Sequence, residues 1–232
     1  MPISTIAFDA DDTLWENEQI FHLTEQRFRE LIASHTEIED LGQSLLETER
    51  KNLRYYGYGI KGFTLSMIET AIEVTGGTIP ARDIQEIIRA GREMRDHPAS
   101  PFPPVEQVLK SLADDYRLLV ITKGDLFDQE RKIAQSGLGD YFDGVEIVSE
   151  KTAETYHRIF DQYGDGPSRS LMVGNSLKSD ILPALEAGAY GVHIPHTLTW
   201  AMEQAKEPLD HEKFRQLQSM DELPELLSKL KK

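Results

Sequence analysis

Three carboxylates fall within four residues near the start of the chain, directly after a short apolar run. The run at residues 3–8 ends at Asp9, and Asp11 and Asp12 follow almost at once. Like charges this close are unfavourable unless a cation or an altered pKa compensates. Asp9 and Asp11 flank one small residue, so a tight loop can point both carboxylates to the same side. This spacing suits acid–base or metal-assisted chemistry, although Asp-rich turns also form after strands simply as caps.

The elements that must position these acids are predicted to be strands of a parallel sheet. An apolar run of this length, bounded by turn residues, indicates a buried strand. Ligands of open α/β sheets bind outside the carboxyl ends of the strands, where Asp9 would lie. Polar groups follow three later apolar runs at the equivalent place. They are Thr122 with Lys123 and Gly124, then Lys151, then Asn175 with Asp180.

The sequence Phe-Asp-Ala-Asp-Asp-Thr-Leu at residues 8–14 resembles the first motif of the haloacid dehalogenase-like hydrolases, an apolar strand followed by Asp-x-Asp-x-Thr. Thr122 resembles the Thr or Ser of the family's second motif, and Lys151 resembles the Lys of its third motif. These residues occur in the same order as in the family. Asp12 stands where the family often has Gly, and Thr152 stands where it often has Pro. The resemblance extends over the whole chain.

The fourth motif of that family is Gly-Asp-x4-Asp, which Asn175 and Asp180 match with Asn in place of the first Asp. A neutral amide oxygen binds a hard divalent cation less strongly than a carboxylate does. The substitution therefore bears on the affinity for metal and not on the fold.

The resemblance implies a phosphoric monoester hydrolase that acts on a small phosphorylated metabolite through an aspartyl-phosphate on Asp9. Asp11 would protonate the leaving oxygen and then activate the water that hydrolyses the intermediate. Lys151 would stabilise the charge on Asp9 and the phosphoryl group. Thr122, with the loop of Lys123 and Gly124, would hold phosphate oxygens.

The cofactor implied by the resemblance is Mg²⁺, a hard cation suited to oxygen ligands in a chain without cysteine. Its ligands would be Asp9, the backbone carbonyl of Asp11, Asn175 and Asp180. Two alternatives remain open at this stage. One is haloacid dehalogenase chemistry, although dehalogenases of this fold lack an acid at the position of Asp11. The other is a catalytically weak member that binds a phosphorylated ligand.

The chain divides into two predicted domains. Apolar residues recur at helical spacing through residues 16–96, which predicts an all-helical cap inserted after the first strand. Four prolines at residues 97–104 indicate a linker. Strands and helices then alternate, so residues 1–15 and 97–232 are expected to form a Rossmann-like, three-layer core around a parallel sheet.

The cap carries a cluster of cations and aromatic residues at residues 50–61, in an otherwise acidic chain. A solvated helix end with packed tyrosines would account for it. A surface that binds the substrate is the alternative, and Arg54 and Lys61 are then the expected contacts.

Composition limits the partners of this 232-residue chain. Twenty-five Lys and Arg against forty Asp and Glu give a net charge of −15, which disfavours nucleic acid as a partner. The absence of cysteine excludes disulfides and thiolate chemistry. The first strand begins too early to leave room for a signal peptide, and no apolar run is long enough to span a bilayer. A cytoplasmic protein, monomeric or homodimeric, is expected.

Overall fold

The computed structural model describes residues 2–198 and 200–230. Within those residues the chain forms a six-stranded sheet, in which every pairing is parallel and the order is β3-β2-β1-β4-β5-β6. The strands are β1 Thr5–Phe8, β2 Arg117–Lys123, β3 Gly144–Val148, β4 Ser170–Gly174, β5 Tyr190–His193 and β6 Phe214–Gln216. The predicted Rossmann-like α/β fold is therefore confirmed.

The central strand β1 delivers Asp9 to the point where the strand order reverses. Phe8 at its end is in register with Val120 of β2 on one side and Val173 of β4 on the other. The Asp9 amide extends the pairing by donating to the Val173 carbonyl at 2.9 Å. Crevices at such reversal points are where open α/β sheets bind ligands.

Helices cover both faces of the sheet, because successive side chains of each buried strand point to opposite faces. Leu118 and Val120 pack on one face with α5, α6 and α9, whereas Leu119 and Ile121 pack on the other with α7 and α8. These helices are α5 Val105–Leu112, α6 Leu126–Ser136, α7 Ala153–Tyr163, α8 Leu182–Glu186 and α9 Leu223–Leu230.

The segment after β4 differs from one regular α-helix. A π-helical turn, Leu177–Ile181, comes first and α8 follows it. Pro183 explains part of the difference, since it has no N–H to donate to the Ser179 carbonyl four residues earlier. The hydroxyl of Tyr156 donates to that carbonyl instead, at 3.0 Å. π-helical turns of this kind often lie at functional sites.

The chain forms two compact units. The sheet unit contains the described residues of Met1–Glu18, Ala99–Lys123 and Gln129–Lys232, and the helical unit contains Gln19–Pro98 and Gly124–Asp128. The helices between β1 and the linker are α1 Glu18–Ile32, α2 Leu41–Tyr56, α3 Ile60–Val74 and α4 Ala81–Asp96.

The core of the helical unit contains Phe28, Leu45, Phe63, Met67 and Ile87. Apolar residues occupy more than one stripe of α3, and not all of them face the core. Leu65 and Ile72 are 40% and 46% exposed, while the neighbouring stripe that includes Phe63 and Met67 faces the core. In the part of the chain that the structure describes, no helix is long and apolar enough to cross a membrane.

Candidate active site

Asp9 and Asp180 share one buried lysine at the carboxyl edge of the sheet. Lys151 Nζ lies 2.5 Å from Asp9 Oδ1 and 2.6 Å from Asp180 Oδ1. All three residues are at most 7% exposed. Gly174 permits the approach of Asp180, because a Cβ at that position would lie 2.3 Å from Asp180 Oδ2. Three residues from three different strand ends therefore meet, in the place where the sequence predicts them.

One ammonium does not neutralise two buried carboxylates. Burial, and then the charge of Asp180, raises the pKa of Asp9 to about 7 despite the opposing effect of Lys151. Burial by itself lowers the pKa of Lys151, but Asp180 and Asp9 outweigh it and the net shift is upward. The cluster therefore keeps a charged lysine and an excess of negative charge.

Thr13 connects the Asp9 loop to the loop after β4. Its hydroxyl lies 3.2 Å from Asp9 Oδ2 and 3.2 Å from Asn175 Oδ1, and it accepts the Asn175 amide at 3.1 Å. A hydroxyl has one proton, so it donates to one of those two oxygens at a time. His193 donates from Nε2 to the Asn175 carbonyl at 3.0 Å, which holds the same loop from β5.

Asp11 lies in a separate environment of hydrogen-bond donors. Trp15 Nε1 donates to Oδ1 at 2.8 Å, and Gln129 Nε2 donates to Oδ2 at 2.9 Å. The ammonium of Lys132 lies 3.0 and 3.2 Å from the two oxygens. Burial alone would raise the pKa of Asp11, but the charge of Lys132 and these hydrogen bonds outweigh it and lower that pKa.

Thr122 and Lys123 lie at the end of β2, and their side chains form hydrogen bonds with other residues of the sheet unit. Thr122 is 1% exposed, and its hydroxyl accepts from Gln129 Nε2 at 3.1 Å. Lys123 Nζ lies 2.8 Å from Ser179 Oγ and 2.7 Å from Glu203 Oε1. The cation of Lys123, expected near the phosphate, is thus paired with a carboxylate that the sequence did not associate with it.

Asp12 has a local structural role. Its φ of +61° lies in the left-handed region, which Asp tolerates better than most residues and Gly tolerates freely. Its carboxylate accepts the amides of Asn17 and Glu18 at 2.8 and 2.9 Å, and so caps the start of α1. Asp12, Glu16 and His196 also bring one potential ligand atom each within 4.8 Å of one another.

Arg54, Lys61 and Gly124 belong to the helical unit. The Arg54 guanidinium lies over the Tyr55 ring at 4.6 Å, and Lys61 Nζ lies 2.9 Å from Asp125 Oδ2. Arg54 and Lys61 are both exposed. Gly124 has a φ of +150°, which side-chain-bearing residues rarely adopt.

The donor set around Asp9 fits a magnesium ion. Asp9 and Asp180 provide carboxylate oxygens. The side-chain amide oxygen of Asn175 contacts the same Thr13 hydroxyl that contacts Asp9, so it lies close to Asp9. Hard divalent cations prefer such oxygen ligands. Burial, and then the charge of Asp180, raises the pKa of Asp9, and a bound cation would oppose the second of these effects.

Four residues of the site were missed from the sequence: Trp15, Gln129, Lys132 and Glu203. Gln129 and Lys132 carried a weak signal, because residues three apart share one face of a helix and both interrupt the buried side of α6. Glu203 carried none, since it lies in a short turn, Ala201–Glu203, without a periodic pattern.

Comparison with known proteins relates this chain to a family. The profile of the haloacid dehalogenase-like hydrolases matches residues 3–188. A solved haloacid dehalogenase-like family hydrolase from Xanthomonas campestris is 41% identical, with a TM-score of 0.87 over 98% of this chain and 91% of that one.

Two other similarities are more distant. Glyceraldehyde 3-phosphate phosphatase from Methanothermobacter thermautotrophicus is 28% identical over 86% of this chain and 88% of its own length. The solved 2-haloacid dehalogenase from Pseudomonas syringae is 20% identical, with a TM-score of 0.64 over 98% of this chain and 99% of that one. At that identity the second similarity concerns the fold alone.

Proposed function

The chain belongs to the haloacid dehalogenase-like hydrolases, and from that membership we propose that it hydrolyses phosphoric monoesters of small phosphorylated metabolites. The observation that carries the proposal is the presence of two carboxylates, Asp9 and Asp11, in different environments. Asp9 is paired with Lys151, and Asp11 is held by Trp15, Gln129 and Lys132. Phosphoryl transfer through an aspartyl-phosphate needs a nucleophile and a separate acid–base group. The phosphatase relative supports the same choice.

Asp9 is the proposed nucleophile. A carboxylate oxygen of Asp9 attacks phosphorus, the bond to the leaving oxygen breaks, and its electron pair departs with that oxygen. Lys151 offsets the negative charge that Asp9 and the phosphoryl group bring together as they approach. Thr122 and the loop amides at Lys123 and Gly124 are the proposed contacts of the phosphate oxygens.

Asp11 is the proposed acid–base group. It gives a proton to the leaving oxygen, and it later takes one from the water that attacks the phosphorylated Asp9. Its lowered pKa favours the second of these roles, because an ionised carboxylate accepts a proton readily. Leaving groups that need little protonation should accordingly react best.

We include magnesium in the proposal. Asp9, Asp180, Asn175 and the backbone carbonyl of Asp11 would hold the ion. When bound, the ion supplies charge stabilisation to the phosphoryl oxygens. Lys151, between Asp9 and Asp180, keeps the remaining carboxylate charge in balance.

We propose that the two units have different functions, catalysis for the sheet unit and substrate selection for the helical unit. The sheet unit carries the groups that act on the phosphoryl group, which all substrates share. Discrimination among leaving groups is assigned to the helical unit, and Arg54 and Lys61 are its proposed contacts. The exposed cations and aromatic rings at residues 50–61 support this assignment.

A second candidate is a weakly catalytic member that binds a phosphorylated ligand, and Asn175 in place of Asp favours it. Release of inorganic phosphate from a panel of phosphorylated metabolites, with magnesium, separates the two. We expect turnover, its loss in Asp9→Asn, and a decrease of about 100- to 10,000-fold in Asp11→Asn. Near-normal activity of folded Asp9→Asn would refute the mechanism, and binding without turnover would favour the second candidate.

A further inference from the structure

Lys132 is a buried lysine that the proposed mechanism uses only as one of the partners of Asp11. It is 8% exposed, and its ammonium donates to both oxygens of Asp11 and, at 2.8 Å, to Asn17 Oδ1. We propose that Lys132 is a positioning residue that fixes Asp11 for hydrolysis of the phosphorylated Asp9. This inference rests on the proposed function, because it assigns Asp11 to the water-activating step.

Burial of Lys132 is hard to explain by stability alone. Removing an ammonium from water is unfavourable unless it is paired and hydrogen-bonded. Even a well-paired buried ion pair is often no more stabilising than apolar residues of similar volume. Asp11 and Asn17 satisfy the ammonium, but they do not account for the choice of a lysine here. The identity of its main partner, Asp11, supplies a reason.

The contacts of Lys132 restrict how the Asp11 carboxylate can turn. Trp15 donates to one oxygen and Gln129 to the other, while Lys132 spans both. Rotation of the carboxylate about its Cβ–Cγ bond would break these bonds together. Trp15 and Gln129 are 1% and 2% exposed, so packing holds them in place. Of the three donors, Lys132 alone carries a charge, and charge-assisted hydrogen bonds are the stronger kind.

The step most sensitive to this orientation is hydrolysis of the intermediate. A water oxygen bonds to phosphorus, the bond between phosphorus and Asp9 breaks, its electron pair returns to Asp9, and the water proton passes to Asp11. Misplacing a reacting group by about 1 Å can lower a rate by about 100-fold. Formation of the intermediate from an aryl phosphate depends less on Asp11, since a phenolate leaves with little protonation.

The test is rapid mixing of Lys132→Met with 4-nitrophenyl phosphate in the presence of magnesium. We expect a burst of about one nitrophenolate per active site, followed by a steady rate at least about tenfold below that of the wild type. The burst rate constant should change much less. Lys132→Arg retains the charge and the donors, and should restore part of the steady rate. Glu130→Gln, an exposed neighbour on α6, is the matched control and should behave as the wild type.

Two results would overturn the inference. A merely structural role would lower the burst amplitude and the steady rate in the same proportion, with a lower unfolding temperature and a normal rate per folded molecule. Wild-type kinetics in folded Lys132→Met would also overturn it. Failure of the proposed function looks different, because the wild type itself would then release no phosphate or Asp9→Asn would remain active. In that case both proposals fall.

Discussion

The carboxylate of Glu203 accepts a hydrogen bond from the ammonium of Lys123 at 2.7 Å, across 80 residues of sequence. Its other oxygen accepts the hydroxyls of Ser176 and Ser179, each at 2.5 Å. Burial alone would raise the pKa of Glu203, but the charge of Lys123 and these hydrogen bonds lower it. One carboxylate therefore ties the end of β2 to the turn that carries Asp180.

Glu203→Gln should weaken that connection. The amide is neutral and has one acceptor oxygen, so the ammonium of Lys123 would lose the charge of Glu203 and a serine hydroxyl would lose its acceptor. Leaving buried polar groups poorly paired costs about 1–3 kcal/mol. We expect the free energy of unfolding in urea to fall by that amount, and magnesium to be needed at higher concentration. Glu212→Gln, an exposed acid in the same part of the chain, is the control. Superimposable urea curves for Glu203→Gln and the wild type would contradict this.

Asn175→Asp should tighten the binding of magnesium. The change replaces an amide oxygen with a carboxylate oxygen beside Asp9, and carboxylates bind hard cations more strongly. Removal of metal with a chelator should abolish phosphate release, and added magnesium should restore it. The variant should reach half-maximal activity at lower magnesium concentration than the wild type. Activity that survives chelation in both proteins would contradict a metal requirement.

The position of the site was predictable because parallel strands end together. Asp9, Lys151 and Asp180 each follow an apolar strand, and in-register pairing of the strands places such residues at one edge of the sheet. The structure brings these three side chains into contact. The sequence could not predict Glu203, whose location depends on the path of an irregular segment after β5.

Local conformation was harder to predict where two patterns fit one sequence. Apolar residues occupy more than one stripe of α3, so spacing alone did not distinguish Leu65 and Ile72 from the buried Phe63 and Met67. Tertiary packing made that choice. The left-handed backbone conformation of Asp12 could not be predicted from its residue type either, since Asp also occurs in ordinary turns.

Stability should fall as pH rises through the range in which Glu49 ionises. Burial, and then the charge of Glu25, raises the pKa of Glu49 from 4.5 to about 7 in the folded state. Between these values the folded chain holds a proton that the unfolded chain has released, so raising the pH favours unfolding. Glu49→Gln should therefore raise the unfolding temperature relative to the wild type at pH 8 and have little effect at pH 4.5. Equal differences at both pH values would show that Glu49 ionises normally.

Arg54→Ala and Lys61→Ala should each reduce activity on a natural substrate while leaving a small artificial substrate unaffected. The reason is that the sheet unit is proposed to act on the phosphoryl group, whereas contacts to the leaving group are assigned to the helical unit. We expect kcat/KM for the best metabolite of a panel to fall by about tenfold, equivalent to about 1.4 kcal/mol of differential binding. Hydrolysis of a small aryl phosphate should stay near the wild-type rate.

The contacts of Arg54 and Lys61 indicate that either side chain can be removed without unfolding the protein, so a loss of activity would report on substrate binding. Lys61 pairs with Asp125 at 2.9 Å, but exposed ion pairs contribute only about 0–1 kcal/mol, so its removal should leave the fold intact. Arg54 contacts the exposed ring of Tyr55 and is similarly dispensable for folding. Lys110→Ala, which removes an exposed cation from α5, controls for the change in net charge. Equal losses on both substrates would mean that Arg54 or Lys61 supports the fold or the core chemistry. No loss on either substrate would make residues 50–61 an ordinary solvated helix end.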